Sequence, residues 1–237
     1  MEKKNDNTLL KNASFLMVAA LVSKIIGLIY KSPLSATLGN ESFGCFSFAQ
    51  NVYLILLMIA SYSIPQAVSK IMAERIAFKR YRDAQRIFKG ALLYAVIVGG
   101  IVAIFCVVGA PILIPDSMAN ARLALQFLSP TIFLSGILGV FRGYFQAYRN
   151  MLPTSLSQIF EQIAVAVVAL VMANFMVNYF ADADTDVLRS WSAAGATMGT
   201  GAGVATALLF MLLVYWVNRK IIQKKIQRDT VSVNESY

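Results

Sequence analysis

A chain of 237 residues in which 58% are hydrophobic and only 14% charged is too apolar for a water-soluble domain, where about a quarter of residues carry charge. With a mean hydropathy of +0.64 it reads as an all-α polytopic membrane protein. The formal net charge of +9 excludes little by itself, but the cations fall in short clusters between apolar runs, as orientation signals do, so no nucleic-acid partner is expected.

In chain order, residues 1–12 form a polar N-terminus with Lys3, Lys4 and Lys11. The first apolar run covers roughly residues 13–38. Its opening resembles the apolar core of a signal peptide, yet it continues past Lys24 and further spans follow. Gly39-Asn-Glu-Ser42 reads as a tight connection to a second run, roughly 43–69, in which Pro65 should kink or break the helix. The connection Lys70–Lys89 is basic and amphipathic, with Arg75, Lys79, Arg80, Arg82 and Arg86 inside it. It serves as a topology signal, or as a helix lying on an anionic lipid surface.

A third span is expected over roughly 90–114, ending at Pro115-Asp116, and a fourth over roughly 122–141, with Ser129-Pro130 in its first half. A short basic and aromatic turn follows, with Arg142 and Arg149 at the water edge. Pro153 suits the first turn of the next helix, where its missing N–H costs nothing. The fifth span is expected over roughly 154–180. An acidic loop with Asp182, Asp184 and Asp186 leads to a sixth, roughly 191–217, and a basic tail occupies 218–237.

Each of these six transmembrane helices is long enough for a hydrocarbon core of ~30 Å. With the N-terminus in the cytoplasm, all of the 21 cations except Lys24, Lys31, Arg122 and Arg189 fall in cytoplasmic segments. The rule that Lys and Arg stay inside therefore predicts both termini cytoplasmic (N-in/C-in) in a multi-pass protein of the cytoplasmic membrane.

Several residues exceed what topology needs. Lys24 and Lys31 lie about 10 Å apart along one helical face, with Gly27 between them. A lysine near the middle of a span costs about 2.5–3.5 kcal/mol. The pair either snorkels to the interface or forms a cationic stripe that draws an anionic head group into a cavity. Gln158 and Glu161 share a face of the fifth span. Glu161 reads as a structural carboxylate, as a cation-coupling group or as an acceptor for sugar hydroxyls, and it is the natural counter-charge for Lys24. Gln50, Asn51, Gln66 and Ser69 give the second span a polar side, where Pro65 could bare backbone carbonyls to a cavity. Gly195, Gly199 and Gly203 form a small-residue ladder that reads as helix packing.

No covalent chemistry is legible. The sequence has no histidine, the commonest metal ligand and general base. Cys45 and Cys106 lie singly in apolar runs as small hydrophobes. No phosphate-binding G-x-x-x-x-G-K-[ST] motif occurs. A non-enzyme without cofactor or metal is expected.

Ser129-Pro-Thr-Ile-Phe133, Phe141-Arg-Gly-Tyr-Phe-Gln146 and Met151-Leu-Pro-Thr-Ser-Leu-Ser-Gln-Ile-Phe-Glu-Gln162 resemble the stage V sporulation protein B-like branch of the polysaccharide biosynthesis and export family. Ser23–Tyr30 and Ile64–Glu74 are similar to its first-helix pattern and the end of its second helix. That family lies in the multidrug/oligosaccharidyl-lipid/polysaccharide flippase superfamily, which includes lipid II flippases. The resemblance implies two lobes around a cavity that opens alternately to each side. It also implies a polyprenyl-diphosphate-linked saccharide, such as a cell-wall or polysaccharide precursor, whose diphosphate is held by cavity cations. Lys24 matches a cavity cation, and Arg142 would receive the head group at the cytoplasmic mouth.

Lys24 stands where the pattern has arginine, giving a point charge instead of a bidentate fork. Tyr30, beside Lys31, stands where lipid II flippases tend to carry a second arginine. Val165 stands where close relatives often carry an intramembrane one. Six spans correspond to the first lobe, so a second lobe is expected from continued chain, a separate half or a second copy. The expected function is a flippase or half of one. The alternatives are a cation-coupled multidrug exporter and a non-transporting partner protein.

Overall fold

Hydrocarbon offers no water to an unpaired N–H or C=O, so an apolar run that enters it must close its hydrogen bonds internally. The computed structural model describes the backbone of residues 2–61 and 63–227, and the side chains of residues 14, 16–60 and 63–219. Those residues are almost wholly helical: α1 Glu2–Ile29, α2 Lys31–Ser61, α3 Ile64–Ala77, α4 Tyr81–Val108, α5 Ala110–Leu113, α6 Ala121–Ala147, α7 Leu152–Tyr179 and α8 Thr185–Gln227. The side chains of Lys3, Lys4 and Lys11 and the cations beyond Arg219 lie outside the described residues.

Five stretches are long and apolar enough to cross a membrane: Leu16–Ala77, Tyr81–Val108, Ala121–Ala147, Leu152–Tyr179 and Thr185–Arg219. The first, at 62 residues, would measure about 93 Å as one straight helix, three times a ~30 Å core. Three breaks divide it. The run expected over 13–38 is split at Tyr30, and α2 ends at Ser61. Each of these helices stops four residues before a proline, Pro33 and Pro65 respectively. A proline ring collides with the carbonyl four residues back and supplies no N–H to it. Between them Gly39 leaves helical geometry at φ 71°, ψ 167°, a conformation that costs a residue without Cβ little. The connection read over Gly39–Ser42 is thus concentrated in one residue, with Asn40 already helical.

The helix ends sort into two groups. At one end Arg189 pairs with Glu41, Arg122 pairs with Asp116 at 2.6 Å, and Asn120 Nδ2 donates to Asp186 Oδ1 at 2.9 Å. At the other, two turns of the same design lie side by side around one small cavity. Lys79 and Arg149 each adopt positive φ, 60° and 58°. The following N–H groups reach back five residues in each case, Arg80 to the Arg75 carbonyl and Asn150 to the Phe145 carbonyl, as in a Schellman cap. The polar tail expected from 218 continues α8 as helix to Gln227.

α8 is the central strut, packed on α7 and α6 and, to a lesser extent, on α2, while α1 lies against α7. Its closest approach is to α7. A Cβ on Gly199 would stand 2.6 Å from the Ala169 backbone nitrogen. One on Gly195 would stand 2.9 Å from the Met172 carbonyl, and one on Gly203 would meet Val165 and the Glu161 carbonyl. Small residues let the two backbones touch where side chains would hold them apart. At the cation-rich end the core is aromatic: Phe88, Phe141, Tyr144 and Tyr215 stack within 4.6–5.6 Å between ring centroids.

Gly199→Ala should therefore lower thermal stability in detergent by the ~1–3 kcal/mol of an overpacked contact. Gly44→Ala, whose Cβ would meet nothing within 4 Å, should be neutral or gain up to ~1 kcal/mol of helix propensity.

Candidate functional site

The first turns of α7 carry Thr154, Gln158, Glu161, Gln162 and Val165, whose spacing puts them on one helical face. All five line a cavity of about 390 Å³, toward the small end of the ~300–1,000 Å³ typical of ligand sites. α6 contributes Ser135, Arg142 and Gln146, α2 contributes Gln50 and Tyr53, and α8 contributes Thr200.

Arg142 is aimed into this cavity by its neighbours. Phe141 and Tyr144 are buried in the aromatic core, which turns the intervening side chain toward α7. There its Nη2 donates to Glu161 Oε2 at 2.6 Å and its Nε donates to Ser157 Oγ at 3.1 Å. The Ser157 hydroxyl donates in turn to the Thr154 carbonyl at 2.7 Å. Only 17% of the Arg142 side chain and 19% of Glu161 are exposed. In such surroundings each charge alone would be expensive, and together they are a neutral, hydrogen-bonded unit.

A second cavity of about 410 Å³ adjoins the first and is lined by Ser23, Lys24, Gly27 and Lys31 together with Phe46. Tyr30, Gln50, Leu54 and Gln162 wall both cavities. Gly27 makes room for the Gln162 carboxamide, since a Cβ there would stand 3.2 Å from Gln162 Oε1. Lys24 and Lys31 are both exposed, and no acidic residue is among this cavity's described walls.

The structure thus gathers Lys24, Lys31, Gln50, Arg142, Gln158 and Glu161 along two adjoining cavities. Two relations differ from the sequence reading. Glu161 is paired with Arg142 and not with Lys24, because α6 delivers a guanidinium to it directly. Arg142 does not sit at the water edge, since α6 runs on to Ala147 and holds it inside the bundle.

The polar side expected on the second span is also split. Gln50 accepts from Thr200 Oγ1 at 3.4 Å, whereas Asn51, one residue on and so about 100° around the helix, is exposed and lines neither cavity. Gln66 lies on α3, exposed and outside both. The Pro65 ring lines the first cavity, but its carbonyl lies against Gly143, where a Cβ would stand 2.7 Å away. It is covered by α6 and not offered to the cavity. The sequence reading did not single out Thr154 or Thr200, although the spacing of Thr154, Gln158, Glu161 and Gln162 was a usable signal.

The family profile described as "Polysaccharide biosynthesis protein" matches residues 9–236. The chain belongs to this polysaccharide biosynthesis protein family. With five stretches able to cross a membrane, this family member is a multi-pass membrane protein. It is similar to Stage V sporulation protein B of Bacillus subtilis (strain 168), 24% identical over 220 residues, covering 92% of this chain and 41% of that protein. It is also similar to Lipid II flippase MurJ of the same strain, 25% identical over 161 residues, with 64% and 30% covered. Uncharacterized membrane protein YabM of that strain is 23% identical over 150 residues, with 63% and 27% covered. The family member thus spans less than half the length of each of these curated relatives. No solved structure matches it.

Breaking the pair from one side should cost more than removing it whole. Glu161→Gln leaves Arg142 mostly enclosed but still touched by solvent, and is expected to lower stability by ~1–3 kcal/mol, less than the ~3–5 kcal/mol of a fully buried pair. The double change Glu161→Gln with Arg142→Met should recover part of that loss in thermal unfolding. Equal or additive losses would show that the pair does not act as a unit.

Proposed function

We propose that the chain forms one lobe of a flippase that moves a polyprenyl-diphosphate-linked saccharide, such as a cell-wall or polysaccharide precursor, across the cytoplasmic membrane. One observation carries the reading. Lys24 and Lys31 project into a single cavity without an acidic wall residue among those described, and that cavity shares walls with a second, polar one. Two cations at membrane depth with no acidic residue among the described walls suit a diphosphate, and the adjoining polar cavity suits its sugar. The name of one relative, Lipid II flippase MurJ, and the family's description, polysaccharide biosynthesis protein, fit the same class of cargo. Arg142 is closed on Glu161, so Lys24 and Lys31 are the head-group ligands in this reading. The same pairing lends less support to a cation-coupled exporter that relies on a free Glu161.

The topology that accompanies this reading has six crossings. Gly39 separates the first crossing from the second, and both termini lie on the cytoplasmic side with Arg75–Arg86 and Arg149. A second lobe, from continued chain, a separate half or a second copy, would close the cavity and permit alternating access.

In cells depleted of their own flippase, Lys24→Ala should abolish complementation while the protein remains in the membrane, and Lys24→Arg should retain it. Undiminished growth with Lys24→Ala would remove Lys24 from the substrate path. The topology is checked by thiol labelling of intact cells, since native Cys45 and Cys106 are buried. A cysteine replacing Ser117 should react with an impermeant reagent from outside, and one replacing Arg86 only after the cells are opened.

A further inference from the structure

The two adjoining cavities differ in chemistry, and that difference assigns different parts of one ligand to each. The cavity of Lys24 and Lys31 is cationic. The other holds one positive and one negative side chain closed on each other, so it offers a ligand no net charge. It does offer unsatisfied hydrogen-bonding groups. Thr154 is fully buried, and its Oγ1 has no partner. Gln158 Oε1, one turn along the same helix face, is also buried without a partner.

The neighbouring serines show that this is not a general property of the helix start. Ser155 Oγ donates to the Met151 carbonyl at 3.0 Å, and Ser157 Oγ donates to the Thr154 carbonyl. α7 begins at Leu152, so the carbonyl four residues before Thr154 belongs to the preceding turn and is not presented to its hydroxyl. A buried group left unpaired weakens the fold, and a cavity wall is where a ligand can repair that loss.

We infer that Thr154 and Gln158 form a subsite for an uncharged hydroxyl- or acetamido-bearing ring, and that they set saccharide specificity separately from the lysines that hold the anion. Gln158 Oε1 accepts from a ligand O–H or N–H, and the Thr154 hydroxyl donates or accepts. The inference rests on the flippase reading above. A site built to pair such groups discriminates strongly against a ligand that lacks them, because its own polar atoms are then stranded.

The test uses the purified full chain in lipid nanodiscs and two probes, undecaprenyl diphosphate and the same lipid carrying one N-acetylhexosamine. Affinities are read by native mass spectrometry. The wild-type protein should prefer the sugar-bearing lipid, and Thr154→Val and Gln158→Met should each narrow that preference about tenfold. Lys24→Ala should weaken both lipids together. Thr154→Val keeps the side-chain shape and removes a stranded hydroxyl, so its thermal midpoint should hold or rise, which separates lost recognition from lost folding. If both variants bind the two lipids with wild-type preference, or if the wild type shows no preference, the subsite is refuted while the flippase reading stands. If the wild type binds neither lipid, the flippase reading fails and the subsite with it.

Discussion

The backbone contact between α7 and α8 is the constraint on which the polar interior depends. Lipid tails are as apolar as leucine, so helices in hydrocarbon associate by close packing and not by escaping water. Gly195, Gly199 and Gly203 bring α8 onto the backbone of α7 over more than two turns. The last of them touches the Glu161 carbonyl, so the ladder fixes the height and rotation of the residue that holds Arg142. Thr200, between two ladder glycines, faces another way and reaches Gln50 on α2. One stripe of absent side chains therefore places the cavity's acid directly and one of its amides through a hydrogen bond.

Charge along the two cavities is handled in two contrasting ways. Arg142 and Glu161 cancel each other and add a serine hydroxyl to the network, which lowers the cost of keeping them away from water. Lys24 and Lys31 have no acidic residue among the described walls of their cavity. The first arrangement spends its electrostatics on holding α6 to α7. The planar guanidinium suits that role, since its fork reaches the carboxylate and the serine hydroxyl together.

Proline positions explain why the longest apolar stretch is not one rod. Pro33 and Pro65 end the helices that precede them, and Gly39 lets the chain depart from helical geometry between them. Pro65 is then absorbed into the fold, its ring in the cavity wall and its carbonyl against Gly143. A break that would be costly in lipid is tolerated because α6 covers it. Pro130, by contrast, lies within α6 without ending it.

Much was legible from order and spacing along the chain. Composition and run length dictated helices, because hydrocarbon permits little else, and Pro65 marked one of the breaks, whereas the break before Pro33 fell inside a run expected to be continuous. The face shared by Gln158 and Glu161, and that shared by Lys24 and Lys31, followed from helical periodicity. Periodicity says which residues lie together on one helix and nothing about which helix stands opposite. Thus the partner of Glu161, the inward aim of Arg142, the cover over Pro65 and the separation of Gln50 from Asn51 and Gln66 were decided only by tertiary packing. Each depends on how α6, α7 and α8 are rotated against one another, and that rotation is set by contacts between residues far apart in the chain.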